Sequence, residues 1–364
     1  AAAASVAGPP TGQYIEGLAL TPKKDCDDWV VGPEKYAEGI VGGKSSSLSA
    51  LGFSTTLSTF GLMSETMKVG ELRVPSSSAL PFNAFERALL ADEATLEKVA
   101  LASAAVSAAD DSGDANLRRD ALEVLRDVVK FQLKMPADLA APLALAAASY
   151  GGACSADDIY AAVKKVWASK WNERAYLSRK ACGVDEEELH MATLLMEVVP
   201  AEFAFVLHTA NPLNGDQTEV FGEVCVGLGE ALVGNEPGSA LSFVAKKAPG
   251  FPATVRNLPS KQVSHHPPEG APTIIARSDS NGEDLEGFAG AGLYDSVTVA
   301  PTVERVVNYA ENWLVWDEAR RTALMAKLAE LAVAIEVEMK APQDIEGCVV
   351  GDDIYVLQSR NQVL

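Results

Sequence analysis

The chain has 364 residues, 48% of them hydrophobic, and 50 acidic against 30 basic side chains give a formal net charge of −20. That length and apolar content suit a globular chain able to bury a substantial core in two or three lobes. No run of about 18 apolar residues is present to span a membrane, and the charge argues against nonspecific nucleic-acid binding or docking on anionic lipid. A phosphate ligand stays open, because a local pocket can be basic on an acidic protein. The five cysteines (Cys26, Cys154, Cys182, Cys225, Cys348) are scattered and form no CxxC. They read as reduced thiols, without a disulfide framework or a zinc site.

Residues 1–13 read as a linker from their Ala/Gly/Pro composition, and the missing Met suggests a trimmed chain or a C-terminal piece of something longer. After VGGKSSSL (Val41 to Leu48), Pro75 and Pro81 bracket an extended piece, and Asn83 is placed to cap a helix. Apolar spacing predicts helices over 84–108 and 117–134, with AADDSGDAN as the loop between them. An alanine-rich helix runs to about Tyr150, and another follows, with Ser155 and Asp158 spaced as a capping box. From Leu189 the texture changes to strands: MATLLMEVV, EFAFVLHTAN, TEVFGEVCVGL and TIIARSD. Residues 317–340 read as a helix, and the chain closes with a hairpin around Gly351-Asp352-Asp353. The order is helix-rich, then α+β. The division follows as an N-terminal lobe over 14–182, with a helical subdomain at about 84–170, and a C-terminal lobe over 183–364.

Residues two apart on a strand share a face. Asp344 and Glu346 therefore project together, and a turn centred on Asp352 sets them opposite Arg360 and Gln358. Ile345, Gly347, Tyr355, Leu357 and Ser359 are expected on the reverse face. Two adjacent carboxylates repel unless a cation lies between them, and hard oxygen ligands suit Mg²⁺ with nucleotide phosphates. The plainer reading is a set of cross-strand salt bridges.

VGGKSSSL fails as a P-loop because Glu38 stands where the first glycine is needed. It can still present Lys44 and backbone N–H groups to phosphate, or be a surface turn. Arg277 is expected to end a strand, followed by glycines 282, 287, 290 and 292 that let backbone approach a ligand. An arginine at the root of such a loop suits phosphate; a plain glycine-rich surface loop is the alternative. LLMEVV (Leu194 to Val199) offers backbone groups to an adenine or is simply core strand, and GLGE offers Glu230. His265 and His266, next to Pro267-Pro268, read as a surface loop. No HExxH, zinc spacing or Ser-His-Asp set supports a hydrolase.

Five blocks taken together resemble the C-terminal nucleotide-binding domain of the α-glucan and phosphoglucan water dikinases. They are RSDSNGEDLEGFAGAGLYDSV, VWASKWNERAYLSRKA, EFAFVLHTANPLNGD, GLGEALVG and PQDIEG with IYVLQSR. The chain is more distantly similar to the ATP-grasp-like domain of pyruvate phosphate dikinase and phosphoenolpyruvate synthase. The resemblance covers residue 14 to the end. It implies an α+β, ATP-grasp-like, multi-lobed nucleotide-binding domain that uses ATP and Mg²⁺.

By resemblance, Lys44 holds nucleotide phosphates, Arg277 belongs to the phosphate-binding RS loop, and Glu197, Val198 and Val199 form the adenine linker. Glu230, Gly290 and Gly292 complete the cofactor set. Asp344 and Glu346 match the metal-binding DIE pair, with Glu346 foremost. Arg277, Gln358 and Arg360 carry catalysis beside the transferred phosphate. The RS loop follows the linker in this sequence, as in the glucan dikinases and unlike pyruvate phosphate dikinase. The resemblance further implies transfer of the ATP β-phosphate to a histidine on a separate domain and then to glucan, with AMP and phosphate released. That histidine domain and the starch-binding modules are expected elsewhere, since no SHxSxRA context occurs here. Location in the plastid (chloroplast), soluble or starch-associated, is implied in the same way. Ser47 replaces the usual Asn, and SRNQVL the usual TRPQ. The alternative is a non-catalytic relative retained as a scaffold or assembly component.

Overall fold

The computed structural model describes residues 20–54, 72–151, 154–233, 237–270, 273–285, 288–289 and 292–363. The linker reading of residues 1–13 falls outside them. Two antiparallel sheets organise the chain. The larger contains β1 (Leu72–Arg73), β4 (Phe203–His208), β5 (Glu219–Val226), β6 (Leu241–Lys246), β7 (Ala253–Asn257), β14 (Gln343–Val350) and β15 (Asp353–Asn361). Their order is β1-β15-β14-β4-β5-β6-β7, with only β1 parallel to its neighbour. The smaller contains β2 (Ser77–Leu80), β3 (Met191–Glu197), β9 (Ile274–Ser280) and β12 (Ser296–Thr298), in the order β12-β9-β3-β2. Two short pairs, β8 (Val263–His266) with β13 (Val303–Val306) and β10 (Asp284–Leu285) with β11 (Phe288–Ala289), stand apart from both.

Strand alternation gives each face of the larger sheet a different task. Phe203, Phe205 and Leu207 point to one side and pack against the C-terminal helix, together with Phe243 and Ile345. That helix spans Glu318–Met339, and its buried Leu324, Leu328, Leu331 and Ile335 recur at three- and four-residue spacing. The opposite face carries the small side chains Ala204, Cys225 and Cys348. Their small size leaves room over that face.

The helices divide between the sheets: those from residues 84 to 168 pack on the smaller one, and the C-terminal helix packs on the larger. In chain order they are α1 (Gly43–Phe53), α2 (Ala84–Leu90), α3 (Glu93–Ser112), α4 (Ala115–Gln132), α5 (Ala140–Ser149), α6 (Ala156–Ala168), α7 (Glu173–Ala181), α8 (Glu230–Val233), α9 (Trp313–Trp316) and the C-terminal α10. Leu122, Leu125, Val163, Val166 and Trp167 share one core with Leu195, Ile274 and Ala276 of the sheet. The helical region is thus fused to strands drawn from both halves of the chain.

Local expectations fare differently. The Ser155–Asp158 capping box forms. The helix predicted over 84–108 is divided, because Asp92 turns its carboxylate onto Thr95 and starts α3 afresh. The loop predicted at AADDSGDAN shrinks: α3 runs on to Ser112 and stops where Gly113 takes a left-handed φ of 71°. Asn83 precedes α2 but does not cap it; its amide donates to the Cys26 carbonyl at 2.9 Å. His265 and His266 lie on β8, not in a loop, since pairing with β13 outweighs the following prolines.

Candidate functional site

A cavity of about 440 Å³ opens between the two sheets, within the size range of small-molecule sites. Its floor is the hairpin. Asp344 pairs with Arg360 and Glu346 with Gln358, the register that the sequence predicts. A bulge follows between Glu346 and Gly347. It shifts the parity, so Tyr355 and Leu357 pack with Cys348 on the cavity side and not with Ile345 as expected. Gly347 is required there, since a Cβ would run into the Phe205 ring.

Strand β9 supplies the roof. Arg277 lies in the middle of this strand and not at its end, because β9 continues to Ser280. Its guanidinium donates to Gln358 Oε1 at 2.7 Å and to Glu346 Oε2 at 3.1 Å, joining the two sheets. Arg360 donates from Nε and Nη2 to Asp344 Oδ2 at 3.0 and 2.6 Å. The mutual repulsion of Asp344 and Glu346 is therefore relieved by two guanidinium groups, one each. Glu346, Gln358 and Arg360 line the cavity, whereas Asp344 does not. Asp344 instead lies 3.7 Å from His208 Nε2 on β4.

Lys44 is not on a surface turn. It sits at the start of α1, 7% exposed, and its ammonium pairs with the Glu283 carboxylate. The amides proposed for phosphate are already engaged: Gly42 N–H and Lys44 N–H donate to Asp279 at 2.9 Å each, and Ser45 Oγ donates at 2.6 Å. A carboxylate occupies the helix N-terminus, where negative charge is favoured.

Glu197, Val198 and Val199 line the far, more apolar part of the cavity with Met196 and Leu232. The N–H groups of Glu197 and Val198 donate to Ser76 and Thr273 carbonyls at 3.0 and 2.9 Å, so neither is open to a ligand. Glu230 opens α8 and accepts from Thr302 Oγ1 at 3.1 Å. Gly292 lines the cavity with φ of 71°. Gly290 lies outside the described residues. Burial pushes the Cys348 thiol up to about 12, and burial with the nearby Glu283 charge pushes the Tyr294 phenol to about 12.

The structure thus brings Lys44, Arg277, Glu346, Gln358 and Arg360 to one cavity from four separate elements. Sequence reasoning passed over Asp279 and Glu283. Both stand inside the RSDSNGED block, but assigning phosphate contact to basic residues alone hid the acids that hold them.

Residues 149–364 match the family described as the pyruvate phosphate dikinase, AMP/ATP-binding domain. The chain belongs to that family. This AMP/ATP-binding domain is also similar to α-glucan water dikinase 2 of Arabidopsis thaliana, 38% identical over 354 residues and 95% of the chain, though only 26% of that relative. With the chloroplastic α-glucan water dikinase of Solanum tuberosum it is 37% identical over 355 residues, 95% of the chain and 22% of the relative. Phosphoenolpyruvate synthase of Pyrococcus furiosus is 25% identical over 214 residues, 58% of the chain and 23% of that protein. The chain spans about a quarter of the length of the plant relatives, between 22% and 26%. The fold is accordingly α+β and of the ATP-grasp-like nucleotide-binding kind expected.

Proposed function

We propose that this chain is the ATP-binding, phosphotransferring domain of a starch-phosphorylating water dikinase. It would deliver the ATP β-phosphate to a histidine on a separate domain, from which glucan is phosphorylated, with AMP and phosphate released. The observation that carries this reading is the convergence of three cations, Lys44, Arg277 and Arg360, on one cavity of a protein with net charge −20. Identity of 36–38% to α-glucan water dikinases over 95% of the chain supports the choice of substrate. The names of the plant relatives support location in the chloroplast.

In this reading adenine lies beside Glu197, Val198 and Val199, against the apolar wall. Arg277 and Lys44 hold phosphate oxygens, which guanidinium and ammonium groups bind by charge-assisted hydrogen bonds. Gln358 and Arg360 orient the phosphoryl group in transit. Such catalysis is chiefly positioning and electrostatics. The donor set fits Mg²⁺ through Glu346, which lines the cavity and engages Arg277 through one oxygen. Among the described residues no cluster of three His, Cys, Asp or Glu side chains could hold a metal alone. The remaining ligands would come from phosphate and water, the usual Mg²⁺ arrangement. When bound, the ion neutralises phosphate charge. Asp344, turned onto Arg360, supports that arginine in place of the ion.

Calorimetric titration with a non-hydrolysable ATP analogue, with and without Mg²⁺, tests the reading beside Glu346→Ala. Magnesium-dependent binding that weakens about tenfold or more in the variant is expected. A folded chain that binds no analogue would favour the scaffold role.

A further inference from the structure

Lys44 and Glu283 form an ion pair at the cavity wall, with side chains only 8% and 5% exposed. Glu283 is held in turn by Ser278, whose hydroxyl donates to its Oε1 at 3.1 Å. Ser278 directly follows Arg277 on β9. One strand therefore sets both phosphate-facing cations: Arg277 from its own side chain, and Lys44 through Ser278 and Glu283. The backbone beneath Lys44 is fixed from the same strand, because Asp279 takes the N–H groups of Gly42 and Lys44. Gly42 lies so close that a Cβ there would be 2.5 Å from the Asp279 carbonyl oxygen. Glu283 Oε2 is buried and has no hydrogen-bond partner among the described residues. Its strong contact is with Lys44.

We propose that Glu283 is a positioning residue for Lys44, holding the ammonium where a nucleotide's phosphates meet it. The inference rests on the nucleotide reading of this cavity. A lysine is a flexible stem ending in a point charge with three donors. One donor spent on Glu283 leaves the others for phosphate, and the stem is ordered before the ligand arrives. An opposite role is also definable. If Glu283 merely competes with phosphate for Lys44, removing its charge tightens binding.

A double-mutant cycle separates the two. The 364-residue chain, Lys44→Met, Glu283→Gln and the double variant are titrated with the non-hydrolysable ATP analogue and Mg²⁺. Each single change is expected to weaken Kd about tenfold. The double is expected to bind no more weakly than Lys44→Met alone, since Glu283 acts through Lys44. Equal or tighter binding by Glu283→Gln overturns the proposal, and so do costs that add. Glu283→Asp keeps the charge but withdraws it by one methylene. It is expected to weaken binding with its melting temperature unchanged, which keeps the test decisive if the glutamine variant does not fold; binding like wild type overturns the proposal. A wild-type chain that binds no analogue removes the nucleotide reading and this inference together. Binding that persists unchanged in both Glu283 variants removes the inference alone.

Discussion

Cys348 lies on the cavity face of β14, 1% exposed, with its thiol pushed up to about 12 by burial. The thiolate is the reactive form, so at pH 8 this side chain is inert despite lining a binding cavity. Alkylation with iodoacetamide read by peptide mass is expected to label Cys26, Cys154 and Cys182, which are half-buried, well before Cys348 or the buried Cys225. Labelling of native Cys348 as fast as Cys26 would contradict this placement. Arg277 gives the complementary case. Its bridge to Gln358 and Glu346 leaves from one guanidinium nitrogen, Nη2, and the planar group brings further donors that the single point charge of lysine lacks. Arg277→Lys is expected to weaken analogue binding by about 2 kcal/mol, the scale of a hydrogen bond between charged groups. Glu346, Gln358 and Arg360 were legible in the sequence because strand parity and turn position fix who faces whom; Arg277 stood out only as the root of a glycine-rich loop, and its bonds across to Glu346 and Gln358 could not be read from it. Asp279 and Glu283 were not, because their partners at Lys44 and Gly42 lie more than 230 residues earlier; no local pattern reports such a pairing.

Between elements, Asp92 does more than divide a predicted helix. Its Oδ2 accepts from Thr95 Oγ1 at 2.8 Å and from Lys134 N–H at 3.0 Å, tying the start of α3 to the segment after α4. Burial alone would raise its pKa, but the hydrogen bonds from Lys134 and Thr95 outweigh that and hold it below the ordinary value of 3.8. A depressed carboxylate stabilises the fold above its unfolded pKa, and the contribution fades as pH falls through the folded value. Asp92→Ala is expected to cost about 1–2 kcal/mol at pH 7, the range for a lost cap, and less below about pH 3. Urea melts at both pH values check it; an equal deficit at both would assign the effect to packing. The same scale shows where sequence reading stops. Helix spacing does not reveal that 84–108 breaks at residue 92, since apolar periodicity continues across the gap. The hairpin register was readable, yet the bulge after Glu346 was not, because Gly347 announces only that space is short, not which strand gains the extra residue. β8 was missed for the opposite reason, as two prolines after His266 masked a strand made by pairing with β13, whose register sets Val303 against His266.

At the scale of the whole molecule, the cavity belongs to neither sheet. Arg277 of the smaller sheet is bonded to Glu346 and Gln358 of the larger. The smaller sheet packs on helices, and the larger packs on α10, so each has its own core. Two separate cores, joined by the Arg277 bonds and by a small apolar cluster of Leu48, Leu194, Met196 and Leu357, predict that a ligand in the seam couples them. Saturating the chain with analogue at 100 times Kd adds about 2.7 kcal/mol to the folded state. If the ligand touches both sheets, that stabilisation cannot be confined to one. Hydrogen exchange by mass spectrometry is therefore expected to slow on peptides from β3 and β9 and also on peptides from β14 and β15. Strands β6 and β7, at the far edge of the larger sheet, should change least. Protection restricted to β14 and β15 would mean that the ligand sits on the hairpin alone. Arg277 would then hold the sheets together, and Lys44 its Glu283 partner, without meeting phosphate.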